Sequence, residues 1–590
     1  MPAVKLGGLF VVPLAVAAMI VLVGGRAGFA ENSRAPRLLP ENTVAYLRID
    51  DVQELVEQFG ETALGRMLRD PQVKPFVGHL YGSAAEEFRG IEKDLGLSLD
   101  QLAEIPQGEV CLAVVPTKQG NPAMVAMVEV GQKLSMARKV VGYLQAQMEE
   151  RGDRKTTETW QGAELTVLHG AASPKDHVVF FEREQTIVAT SDLELAKQIV
   201  SSWGAAKTPN LSGSSSFAAI SEQLSKANDE DPQLTYFVDP IKLAKSISTD
   251  NMALQVGLSV LRLLGLDGLL GVGGSLTFGG ERFESIYHVH VLLDSPVTGV
   301  LDVLTLRPGD VTPEVWVPND VATYMTMHWD FMKSYSAFVE VYDFFQDKDA
   351  WSTNVEDPIG KQFGVDMERD VLAALDGRIT RITWIDESTS EQVPLLGLKL
   401  KDAAAFRRTL GKMVSAAPSL FAKRTVAGVG CFHFSPGTEP DEGGLAGNLP
   451  DSCIAILGDY LLIAGSEKLL ERAVATKKGD SQPLGQEFDF KLIASMIKRK
   501  ADGKKPAAIW FERPVVRLRA TYETLRSDET KRAVAKLADR NKAFEALHKA
   551  MSDSPLPPFS VLEKYFGVSG GLATSDKAGI HGVGFTYRRK

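Results

Sequence analysis

Hydrophobic and polar positions alternate along the chain in short blocks that switch between two periods. Val44–Ile49 reads as a short strand, and Asp50-Asp51 caps a helix with Val52, Leu55, Val56 and Phe59 on one face. Val110–Val115 and Ala123–Val130 predict two strands joined by a turn at Gly120-Asn121-Pro122. A helix comes next, with Ala137, Val140, Val141, Leu144 and Met148 along one stripe. Strands are then expected over Glu164–His169, His177–Glu182 and Thr186–Thr190, before a helix opened by Ser191-Asp192. Leu234–Val238 is a strand, and Pro240 starts a helix at a favourable first-turn position. Gly273–Phe278 and Phe283–Leu293 close the series. Short turns between neighbouring strands favour antiparallel pairing, so the expected fold is α+β, a mainly antiparallel sheet with packed helices.

The same succession is written twice. Leu39-Pro40-Glu41-Asn42-Thr43-Val44-Ala45-Tyr46 matches Val317-Pro318-Asn319-Asp320-Val321-Ala322-Thr323-Tyr324. Ala137–Gly142 matches Phe406–Gly411, Ile187–Asp192 matches Leu462–Glu467, and Phe217-x-x-Ile220 matches Phe490-x-x-Ile493. Tyr236–Pro240 matches Trp510–Pro514, and Leu270-Gly271-Val272 matches Phe566-Gly567-Val568. The pairs are collinear, which predicts two tandem copies of one fold, residues 38–312 and 313–590. Arg307-Pro308-Gly309-Asp310-Val311-Thr312-Pro313 is the expected join. The wider last spacing is assigned to extra helix in copy two, around Tyr522 to Met551. That mixed-charge stretch, with Val534, Leu537, Phe544 and Leu547 apolar, is expected to pack on its own domain.

Residues 1–30 form a third element. Lys5 precedes an almost unbroken apolar run over residues 6–25, and Gly28-Phe29-Ala30 offers a cleavage site. The run has the layout of a signal peptide and nearly the length of a membrane span, so signal peptide and N-terminal membrane anchor both stay open. Residues 31–37 are a linker. Membrane association through residues 6–25 is the corresponding partner expectation, and the location is exported, periplasmic or extracellular.

Composition adds exclusions. Sixty-five basic against seventy-five acidic side chains give a net charge of −10, a poor basis for nucleic-acid binding. Three cysteines, Cys111, Cys431 and Cys453, are too few for a disulfide scaffold of this size. Cys431 and Cys453 sit in strand-like runs and could pair if those strands are neighbours, but buried thiols are the expectation. His433 shares a strand face with Cys431, and nothing else there supports a thiol nucleophile.

Gly567-Val568-Ser569-Gly570-Gly571 fits G-x-S-x-G, but the next dozen or so residues read as a hairpin and not a helix, so strand glycines are expected and not a nucleophile elbow. In copy one, Gly271-Val272-Gly273-Gly274-Ser275 has glycine in place of that serine, and Asp576 and His581 are not expected to form a relay with it. His288 and His290 share one strand face. Two imidazoles can start a metal site but need further ligands, and Gly584 and Thr586 are the matched positions in copy two, so an ordinary strand face is expected. Lys498-Arg499-Lys500-Ala501-Asp502-Gly503-Lys504-Lys505 reads as a solvated basic loop, with an anionic partner as the minority reading. The adjacent acids Glu86-Glu87 and Glu149-Glu150 splay on a helix and cannot face each other. No catalytic, cofactor-binding or metal-binding residue is assigned, and no cofactor is implied.

LPENTVAYLRIDDVQELVEQF, with Thr62-Ala63-Leu64-Gly65 and Asp70-Pro71-Gln72-Val73-Lys74-Pro75-Phe76, resembles exported bacterial proteins of the domain of unknown function 3352 family. The likeness is strongest over residues 38–80. It implies an envelope or secreted location and an α+β fold, and it carries over no functional residue. The expected function is therefore a non-catalytic binding or structural module acting on an envelope protein or surface component. The alternatives are a carrier or sensor of an apolar, lipid-like ligand in a groove between sheet and helix, and a hydrolase whose site is assembled from distant residues.

Overall fold

The computed structural model describes residues 34–589 except 119–120, 172–176, 205–207, 248–264, 298, 436–450, 539–541 and 554–555. The signal or anchor expected over residues 1–30 lies outside the described residues. Among the described residues no helix is long and apolar enough to cross a membrane.

The fold is α+β, built on one antiparallel sheet. The first half supplies β1 (Ala45–Ile49), β2 (Val110–Val115), β3 (Ala123–Glu129), β4 (Arg154–Trp160), β5 (Ala163–His169), β6 (His177–Arg183), β7 (Thr186–Thr190), β8 (Leu234–Val238), β9 (Leu269–Phe278) and β10 (Phe283–Leu293). Their spatial order is β4-β5-β6-β7-β3-β2-β1-β8-β9-β10. The second half supplies β11 (Thr323–His328), β12 (Leu375–Asp386), β13 (Glu391–Leu400), β14 (Phe421–Val426), β15 (Val429–Phe434), β16 (Ser452–Leu457), β17 (Tyr460–Ala464), β18 (Ala508–Glu512), β19 (Phe566–Asp576) and β20 (Gly579–Arg588). Their order is β14-β15-β16-β17-β13-β12-β11-β18-β19-β20, the same path strand for strand. The last strands of the two halves pair antiparallel, β10 with β20, which makes one continuous 20-stranded sheet.

Helices cover both faces because the strands bury both. In β6, Val179 and Phe181 join the core under α4 (Leu193–Ser202) and α5 (Ser215–Ala227), while Val178 and Phe180 point to the other side with Met148 of α3 (Leu134–Glu150). In the second half α6 (Ala403–Ala416) sits on the α3 side through Phe406 and Leu410. There α7 (Glu467–Lys478) and α8 (Phe488–Lys500) close the main core with Leu470, Val474, Phe490 and Ile493. The caps read from sequence are made: at the start of α1 (Val52–Glu61) Asp51 accepts from Glu54 N at 3.0 Å, and at the start of α4 Asp192 accepts from Leu195 N at 2.7 Å.

Three features depart from expectation. β4, Arg-Lys-Thr-Thr-Glu-Thr-Trp, is a strand without a hydrophobic alternation, because it is an exposed edge where charge discourages further pairing. The helices after Pro514 do not lie only on their own half: α9 (Lys542–Asp553) packs against α2 (Lys74–Leu95) of the first. Beside that contact Asp70 accepts from Lys564 Nζ at 2.7 Å and Tyr565 Oη at 2.6 Å, which holds its carboxyl down at about 2. The expected join also belongs by its contacts to the second half, since Val311 packs on that core.

Candidate functional site

The G-x-S-x-G residues lie within β19, not on a strand-to-helix elbow, and Ser569 Oγ shares a 3.0 Å hydrogen bond with Thr586 Oγ1 across the hairpin. The glycines are explained by approach. A Cβ on Gly570 would meet Ile493 of α8 at 2.4 Å, and one on Gly571 would meet the Trp510 ring at 2.2 Å. The first half repeats the arrangement, with Ile220 at 2.5 Å from a Cβ on Gly273 and the Tyr236 ring at 2.6 Å from one on Gly274. Strand pairing agrees: Tyr236 faces Gly274 as Trp510 faces Gly571. This moves the sequence match by one residue. The residue corresponding to Ser569 is Val272, opposite Val238, and not a glycine. A run of interchangeable glycines could not fix that register from sequence.

The same correction applies to His288 and His290. Their corresponding residues are Val583 and Phe585, both buried in the second core, and not Gly584 and Thr586. The two histidines therefore occupy a core-facing side of β10. Both are 2% exposed. The seam brings a third imidazole: His581 of β20 pairs with His290, and its Nε2 lies 3.2 Å from His288 Nδ1. His288 Nε2, both nitrogens of His290 and His581 Nδ1 are buried without a hydrogen-bond partner. Burial, reinforced by the neighbouring imidazole, pushes His288 down to about 3 and His581 to about 4, and burial lowers His290 too. Lys500 and Asp229 face His288; Lys504 and Asp576 face His290 and His581. His581 was visible in sequence only as a hairpin residue, since nothing in a sequence marks which two strand edges will join.

The basic run is only partly a loop. Lys498, Arg499 and Lys500 form the last turn of α8, where cations suit the helix dipole. Lys500 Nζ reaches Asp229 Oδ2 of the first half at 2.8 Å, and Lys504 Nζ reaches Asp576 at 3.1 Å. Of the acid pairs, Glu149 in the last turn of α3 lies 3.7 Å from Lys155 Nζ, and the side chains of Glu86-Glu87 lie outside the described residues.

Two grooves occupy corresponding places under α5 and α8. The first has a volume of about 650 Å³, with Phe217, Leu224 and Phe237 on its wall and Asp229, Glu230, Asp231, Arg37 and Arg48 around it. The second, about 530 Å³, is walled by Phe490, Ala494, Ile497 and Ile509, with Lys491, Lys498 and Lys504 around it. Phe217 and Phe490, and Leu224 and Ile497, stand at matching helix positions. Among the described residues lining the second groove there is no acid, histidine, cysteine or serine. Beside it, deep in the second half, Glu314 pairs with Arg378 Nε at 2.9 Å and accepts from Tyr324 at 3.3 Å, Tyr460 at 3.1 Å and Thr380. Burial and Glu314 drive both tyrosines well above their ordinary range.

Cys111, Cys431 and Cys453 are free and buried. β15 and β16 are neighbours, but Cys431 stands opposite Ala455 and Cys453 opposite His433, so the two thiols are diagonal. Diagonal positions are roughly 7–8 Å apart at Cα, beyond ordinary disulfide reach. Burial is the main cause that pushes Cys453 up to about 11, with Glu467 adding to it.

No protein-family model matches the chain, and no curated protein or solved structure matches it either. The likeness to the domain of unknown function 3352 family therefore rests on the residues that carry it.

Proposed function

We propose that the chain is an exported, non-catalytic binding scaffold made of two copies of one α+β unit, and that it holds an amphiphile with an anionic head in the groove under α8. The duplication is supported by the identical strand path of the halves and by the repeated isoleucine-on-glycine and aromatic-on-glycine contacts. Export rests on the apolar run over residues 6–25. The observation that carries the ligand is the second groove: an apolar wall of ligand-sized volume, lysines around it, and no acid, histidine, cysteine or serine among the described residues that line it. A hydrocarbon body against Phe490, Ala494 and Ile497 leaves a carboxylate or phosphate beside Lys491 and Lys498. In the first groove three acids outnumber two arginines, against three lysines and no acid in the second, so the second is the better anion site and the expected stoichiometry is one.

Titration of the full chain with a fluorescent long-chain fatty acid tests this. Saturable 1:1 binding is expected. Ala494→Trp, which fills the groove, should abolish it, and K491E/K498E should weaken it about tenfold, roughly 1.4 kcal/mol. Absence of binding, or binding indifferent to Ala494→Trp, would reject the proposal.

A further inference from the structure

His433, Cys453 and Glu467 come from three separate elements of the second half. His433 lies on β15, Cys453 opposite it on β16, and Glu467 opens α7 directly after β17, which pairs with β16. One ligand atom from each lies within 4.8 Å of both others, and no other group of three or more His, Cys, Asp or Glu among the described residues meets that test. Cys453 Sγ stands 3.8 Å from His433 Nδ1. A tetrahedral zinc ion, with bonds of about 2.3 Å to sulfur and about 2.0 Å to nitrogen, sets those two atoms roughly 3.5 Å apart. The other ring nitrogen, Nε2, has Asp451 Oδ2 at 4.0 Å, too far for a hydrogen bond, and Nδ1 is the nitrogen placed beside the thiol. Cys453 is buried, His433 half-buried and Glu467 exposed, so the group opens to solvent on the Glu467 side.

We infer that His433, Cys453 and Glu467 bind one zinc-class divalent ion, through Nδ1, a thiolate and a carboxylate, with the solvent side left for a fourth ligand. A thiolate and an imidazole together select a borderline-soft ion over calcium or magnesium. Cys431 is outside the group and serves as a control, as does Cys111 in the first half. The inference reverses the expectation of no metal residue, because only the β16–β17 hairpin brings Glu467 to Cys453. It is independent of the amphiphile groove.

The test uses the full chain, stripped with chelator and titrated with Zn²⁺ against a chromophoric competitor and with Co²⁺ alone. One equivalent should bind, and Co²⁺ should give tetrahedral d–d bands with a thiolate-to-cobalt charge-transfer band. Cys453→Ser should remove the charge-transfer band, Glu467→Gln should weaken Zn²⁺ at least tenfold, and Cys431→Ser should change neither. Should Cys453→Ser misfold, wild-type alkylation mapped by mass spectrometry decides instead: Zn²⁺ should slow modification of Cys453 and leave Cys111 unaffected. Binding that survives Cys453→Ser, no stoichiometric binding, or equal alkylation of both thiols with and without Zn²⁺ would overturn the inference.

Discussion

Lowering the pH from 7 to 4 is expected to cost the protein about 3–5 kcal/mol of stability through His288 and His581 alone. His288 and His581 are held neutral in the folded chain, at about 3 and about 4, against roughly 6.5 when unfolded. Between those values the unfolded chain binds more protons than the folded one. Their contribution is therefore complete above pH 6.5 and lost as pH falls towards 4. The two imidazoles are 3.2 Å apart, so their effects do not add in full. Asp229 and Asp576 favour the charged form, but Lys500 and Lys504 oppose it. Depressed carboxylates such as Asp70 and Asp386 lose their contribution mainly below pH 4, outside this window. The H288V/H581I variant takes the apolar residues at the corresponding places, Val583 and Ile286. Its urea midpoint should vary much less between pH 7 and 4, and it should be more stable at pH 7 by about 1–3 kcal/mol, because orphaned ring nitrogens are removed. Parallel pH profiles for the two proteins would contradict this.

Glu314→Ala is expected to cost about 3–5 kcal/mol in the unfolding of the second half. The Glu314 side chain is 4% exposed and that of Arg378 6%, so the deletion leaves a buried cation with only the exposed Asp310 carboxylate, at 3.8 Å, as counter-charge. It also strips an acceptor from Tyr324, Tyr460 and Thr380. Glu314→Gln keeps much of the hydrogen bonding and should cost less. E314A/R378M removes both charges and should recover a large part of the loss. Urea unfolding followed by fluorescence checks the series, and a double variant no better than Glu314→Ala would show that the pair is not the cause. The first half manages the same location differently, with Arg48 of β1 on Glu109 beside β2 at 2.9 Å.

The features legible in the sequence are the local ones. Strand alternation, the Asp51 and Asp192 caps and the Pro240 helix start depend on neighbours in the chain, and all three appear as expected. The strand reading of Gly567–Gly571 was legible because no helical stripe comes after it. β4 was not, because an exposed edge strand needs no apolar face. Cys431, Cys453 and His433 stood out by residue type, but Glu467 looked like any helix-opening acid until β17 placed it beside Cys453. The β10–β20 seam left no mark at all. β10 read as an ordinary closing strand and β20 as one arm of a hairpin, and their pairing joins residues about 300 positions apart.

That seam, which makes one sheet of two like halves, is the claim on which the account stands. Val289 of β10 faces Gly582 of β20, and a Cβ on Gly582 meets nothing closer than 4.0 Å. Directly opposed residues lie about 4.5–5.5 Å apart at Cα, within disulfide reach. Under mild oxidation, V289C/G582C should form a bond between the two introduced thiols, mapped by peptide mass spectrometry. V291C/G582C, displaced by two residues, should form little or none. Equal yields from the two variants, or no bond in either, would mean that the halves do not share a sheet in this register.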